Sequence, residues 1–138
     1  PIARRQGYAP DNLVCAGDLA AGRPSPLMMF RTFADLGVYP PSAVVKVDDT
    51  TPGIDEGIAA GTWTVGIAAS GNEVGLSLDE WMALSQAARR AAVRPARAKL
   101  EAAGAHFVID TVADIMPVID AIEAKLAKGG RPPARRTV

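Results

Sequence analysis

The segment Val44-Val45-Lys46-Val47-Asp48-Asp49-Thr50 constrains this chain more than any other. An apolar, β-branched run that stops abruptly at two adjacent carboxylates reads as a buried parallel strand. Such a strand delivers its acids to the carboxyl edge of a sheet, where α/β proteins bind ligands. Two neighbouring carboxylates repel each other unless a cation relieves them. Mg²⁺ suits them best, as a hard ion that takes oxygen ligands and often shares them with a substrate phosphate. The plainer alternative makes Asp48 and Asp49 loop acids that cap the next helix, but Thr50 or Thr51 already serves as that cap. Lys46 points to the opposite face from Val45 and Val47, either snorkelling or supporting the acidic site.

Upstream, Ala21-Gly22-Arg23-Pro24-Ser25-Pro26 sets one fixed positive charge on a Gly-Pro-shaped loop before a helix. An Arg in that position can grip a phosphoryl group bidentately. Around these two motifs the chain alternates strands and helices, which predicts a parallel, doubly wound α/β sheet. Predicted strands cover 13–16, 44–47, 62–68 and 106–109. Ser25 is the expected cap of a helix that runs through Met28, Met29, Phe33 and Leu36 and stops at Gly37, with the Met pair packing into the core on one face. Thr51-Pro52 opens a short helix that ends at Gly61. Ser77-Leu78-Asp79-Glu80 is a capping box. The Ala- and Arg-rich helix 87–102 is expected to break or kink near Pro95. A last amphipathic helix begins after Asp110 or Thr111 and runs to about Leu126. The opening residues Pro1 to Gln6 read as the end of a helix, with Gly7 as its left-handed cap.

Composition narrows the function classes. The 138 residues carry fifteen Lys and Arg against fifteen Asp and Glu, so no global charge favours nucleic acid. No apolar run approaches the roughly 20 residues that span a bilayer. The single cysteine, Cys15, cannot form an internal disulfide, which fits a reducing cytoplasm. It is expected to be buried and inert. Asp18 and His106 read as structural, and Asp55 and Glu56 as solvated acids in a helix's first turns. The chain divides into a domain over 1–128 and a disordered basic tail over 129–138.

With Arg23 and Asp48-Asp49 in place, the chain resembles the C-terminal half of a haloacid-dehalogenase-superfamily phosphotransferase. Gln6-Gly7-Tyr8-Ala9-Pro10-Asp11, Ala21-Gly22-Arg23-Pro24, Val45-Lys46-Val47-Asp48-Asp49-Thr50, Gly61-Thr62-Trp63-Thr64-Val65-Gly66 and Gly104-Ala105-His106-Phe107 narrow the resemblance to the phosphonoacetaldehyde hydrolase (phosphonatase) family. That resemblance implies a Rossmann-like core with a parallel sheet and flanking helices. It also implies Mg²⁺-dependent cleavage of the carbon–phosphorus bond of phosphonoacetaldehyde, giving acetaldehyde and phosphate, in a homodimer with no nucleic-acid or membrane partner. By the same resemblance Asp49 ligates Mg²⁺, Asp48 supports the metal directly or through water, and Arg23 holds the phosphoryl oxygens. Some members carry a second acid four residues after the first, where this chain has Gly53. The family's nucleophilic Asp on the first strand, its helical cap and its Schiff-base Lys match nothing here. The chain is therefore read as the C-terminal part of such an enzyme, inactive alone. Lys46 lies in the wrong element to be that Schiff-base Lys. Two further readings share the motifs: another phosphatase of the superfamily, and a non-catalytic metal- or phosphate-binding module.

Overall fold

A computed structural model describes Arg5 and residues 7–134. Three parallel strands form one sheet in sequence order: β1 (Val45–Asp48), β2 (Trp63–Ile67) and β3 (Phe107–Ile109). Lys46 pairs with Thr64 and Asp48 with Gly66, while Val65 pairs with Phe107 and Ile67 with Ile109. Helix α1 (Leu27–Leu36) precedes the sheet. Helix α2 (Thr51–Ala59) joins β1 to β2, and α3 (Leu78–Ala83) and α4 (Gln86–Ala102) join β2 to β3. Helix α5 (Ile115–Leu126) follows β3.

Both crossovers step the same way along the sheet, so a common right-handed turn puts α2 and α4 on one face. The packing agrees. Ile54 of α2 clusters with Ala68 and with Val93, Ala96, Leu100 and Ala103 on one side. Trp63, Val65, Ile67 and Ile109 meet Val118 and Ile122 of α5 on the other. The doubly wound α/β reading therefore holds. Pro95 stays inside an unbroken α4, where burial of residues on both sides of it outweighs one lost backbone bond.

Four expectations are corrected. Residues 13–16 form no strand: Leu13 is 77% exposed and Ala16–Asp18 is a single 3-10 turn. A lone strand has nowhere to pair, and none of the three strands lies beside it. Cys15 is exposed rather than buried, for the same reason. No residue of α1 is buried, so its Met28 and Met29 are not core. That helix is capped by Pro26 rather than Ser25 and ends, as expected, at left-handed Gly37. The Ser77–Glu80 capping box is present. Gly7 has the positive φ expected of it, but the helix end it would cap falls largely outside the described residues.

His106 ties β2 to β3. The Thr64 N–H donates to its Nδ1 at 2.9 Å, which makes Nε2 the protonated nitrogen. Nε2–H then donates to the Pro133 carbonyl at 3.0 Å. Residues 135–138 of the expected tail lie outside the described residues. On the outer edge, Arg97 donates to the Val108 carbonyl at 2.6 Å and pairs with Asp110 at 2.7 Å, covering the free side of β3.

Candidate functional site at the carboxyl edge of the sheet

Alternation along β1 turns Lys46 and Asp48 to the same face, toward α2. Helix α2 is shaped to receive them. A Cβ on Gly53 would overlap the Asp48 carboxylate, and one on Gly57 would lie 2.9 Å from Lys46 Cβ and 2.6 Å from Thr64 Cγ2. Two glycines one turn apart let the helix approach the strand closely. Between them Glu56 is only 1% exposed and pairs with Lys46 Nζ at 2.9 Å. Glu56 is thus no solvated acid. The helix dipole explains acids in a first turn, but here the partly buried ammonium of Lys46 is the partner that makes its burial tolerable. Of the two roles left open for Lys46, support of the acidic site is the one its contacts match.

Asp48 is the hub. Its Oδ1 accepts from the Thr50 N–H at 3.0 Å and the Thr50 hydroxyl at 2.7 Å. Its Oδ2 meets Lys46 Nζ at 3.2 Å and Arg23 Nη1 at 3.3 Å. The Thr50 hydroxyl also accepts from the Gly53 N–H and caps α2. Burial alone would push the Asp48 carboxyl up. The Thr50 hydrogen bonds and the Lys46 charge outweigh it and hold the group below its ordinary range. Arg23, 44% exposed, arrives from the loop before α1. The loop thus brings Arg23 to Asp48 across 25 residues of sequence.

Asp49 turns elsewhere. Its Oδ2 accepts from the Asn72 N–H at 2.8 Å, and Gly71 sits against its Cβ, where a side chain would clash at 2.6 Å. Its Oδ1 has no partner among the described residues. The loop that holds Asp49 continues into an apolar cavity of about 310 Å³ lined by Ser70, Leu76, Leu78, Trp81 and Thr111. Among the described residues no three His, Cys, Asp or Glu side chains gather to hold a metal by themselves. Mg²⁺ commonly takes only one or two carboxylates, with water and substrate oxygens completing its shell. The unengaged Asp49 oxygen fits that partial role.

Sequence reasoning undervalued Lys46 and misread Glu56. The signal was present: i, i+2 spacing puts Lys46 beside Asp48, and Gly53 with Gly57 marks a close approach on the same helix as Glu56. The Asn72 backbone contact carries no side-chain signal at all.

No family model matches the chain. The phosphonoacetaldehyde hydrolase of Paraburkholderia xenovorans is 54% identical over 136 residues, covering 96% of this chain and 49% of that protein. The enzyme of the same name from Bordetella pertussis is 48% identical, covering 94% of this chain and 47% of its own length. A solved phosphonoacetaldehyde hydrolase-like protein from Oleispira antarctica superposes with a TM-score of 0.93 at 46% identity, over 95% of this chain and 48% of that one. The chain spans about half the length of the curated relatives it matches.

Proposed function

We propose that this chain, which belongs with the phosphonoacetaldehyde hydrolases in sequence and in fold, supplies the phosphoryl-holding half of a carbon–phosphorus bond hydrolase. One observation supports the reading: Arg23, on a separate loop, meets Asp48 at 3.3 Å at the carboxyl edge of β1, and Asp49 is the next residue along that edge. The Arg23 guanidinium has five N–H donors in a rigid fork, and Asp48 engages it at Nη1. The outward part of that fork can hold phosphoryl oxygens as charge develops on them. Asp49 would hold Mg²⁺, with Asp48 supporting it through water. A bound Mg²⁺ would add charge neutralisation at the transferring group. The attacking Asp and the Schiff-base Lys belong, on this reading, to the half of the relatives that the chain does not span. Phosphonoacetaldehyde as substrate and a homodimer come with the same resemblance, and the single cysteine fits a reducing cytoplasm.

The test joins this chain to the N-terminal half of the Paraburkholderia xenovorans relative and follows acetaldehyde release from phosphonoacetaldehyde with Mg²⁺. Turnover is expected from the joined protein and not from the 138 residues alone. Asp49→Ala and Arg23→Ala should each lower kcat by about 10²-fold or more, as for loss of a group that stabilises developing charge. A folded joined protein without turnover, or turnover that ignores Asp49→Ala, refutes the reading.

A further inference from the structure

We infer that the two adjacent aspartates divide their work: Asp49 faces the cation, whereas Asp48 is a positioning residue that aims Arg23, braced from behind by Lys46 and Glu56. This deepens the function proposed above and rests on its assignment of Arg23 and Asp49.

Acceptor capacity decides the matter. A carboxylate offers about four lone-pair directions. At Asp48 four donors are present: two from Thr50 on Oδ1, and Lys46 with Arg23 on Oδ2. An inner-sphere cation at Asp48 would have to displace one of them. Space points the same way. The Asp48 side chain is 8% exposed and lies against Gly53, where even a methyl group would overlap it. Asp49, by contrast, accepts from the Asn72 N–H alone and keeps Oδ1 unengaged among the described residues.

The bracing is one continuous chain of alternating charge. Glu56 on α2 holds Lys46, Lys46 and Thr50 hold Asp48, and Asp48 holds Arg23. The chain runs from Glu56, 1% exposed, to Arg23, 44% exposed. A long, partly exposed arginine is ordinarily free to sample many rotamers, and fixing it carries an entropic cost. Here that order is imposed from a buried anchor, so Arg23 meets an incoming oxyanion already aimed.

The test uses the full chain with ¹³C in aspartate carboxylates and ¹⁵N in arginine side chains. Titration with Mg²⁺ is expected to move the Asp49 Cγ resonance and leave that of Asp48 in place. Asp48→Asn is expected to weaken Mg²⁺ binding less than Asp49→Asn does, because it removes a neighbouring charge and no direct ligand. Asp49→Asn is expected to weaken Mg²⁺ binding at least about tenfold, as for loss of a direct ligand. In Asp48→Asn the Arg23 guanidinium signals should collapse to those of a freely rotating group, and in Asp49→Asn they should stay. An Asp48 Cγ resonance that answers Mg²⁺ as strongly as that of Asp49 overturns the inference, as do unchanged Arg23 signals in Asp48→Asn. The arginine readout needs no ligand, so a wild-type chain that binds neither Mg²⁺ nor inorganic phosphate would sink the proposed function and the role of Asp49, while the aiming of Arg23 by Asp48 is decided by the arginine signals. Should Asp48→Asn fail to fold, a through-hydrogen-bond contact between the Arg23 guanidinium and the Asp48 carboxylate carbon in the wild type decides, its absence counting against the inference.

Discussion

Gly53 shows how much one missing methyl group carries. On an ordinary helix surface Gly→Ala is stabilising by about 1 kcal/mol. At Gly53 the added Cβ runs into the Asp48 carboxylate, and forced overpacking costs about 1–3 kcal/mol. The clash exceeds the propensity gain, so Gly53→Ala should lower stability in urea-unfolding experiments and loosen Asp48. The depressed Asp48 carboxyl gives a second prediction. A carboxyl whose folded pKa lies below its unfolded value binds fewer protons when folded. Its stabilisation is therefore complete above the unfolded value, about 3.9, and is lost as pH falls through the folded one. The stability difference between wild type and Asp48→Asn should be largest near neutral pH and shrink below about pH 4. A difference that grows on acidification would contradict the assignment. At this scale the place of the Asp pair at the end of β1 was legible in the sequence, because an apolar strand that stops at two acids belongs at the carboxyl edge of a parallel sheet. Glu56 was not, because its partner Lys46 comes from another element and only the tertiary approach of α2 to β1 joins them.

Helices and strands were legible wherever the chain supplies its own partners. The three strands that pair, the caps at Thr50 and Ser77 and the stop at Gly37 all follow local rules. The segment 13–16 and the apolar stripe of α1 follow the same local rules but are at most partly covered among the described residues. Local pattern reports what an element can bury, and tertiary context decides whether it does. Two leucines test the contrast. Leu100, 0% exposed within α4, should cost about 2–5 kcal/mol when changed to Ala. Leu36, 43% exposed at the end of α1, should change stability by no more than about 0.5 kcal/mol. Equal losses at the two positions would mean that α1 is packed in solution.

For the molecule as a whole, the three-stranded sheet ends in two unlike borders. Beyond β3 the Arg97 guanidinium occupies the Val108 carbonyl. Arg97→Ala should cost about 1–2 kcal/mol for a backbone acceptor stripped of its partner, and it should raise self-association in sedimentation experiments by exposing a pairing edge. A variant as stable and as monomeric as the wild type would show that the edge needs no guard. Beside β1 no described strand pairs. Strand addition is templated by free N–H and C=O groups, so this sheet has a direction of growth: it is sealed at the end away from Asp49 and extendable at the end that carries it. Whatever strand is laid next to β1, its carboxyl terminus, if parallel, arrives beside the two aspartates, so that extending the sheet and completing the chemistry become a single event.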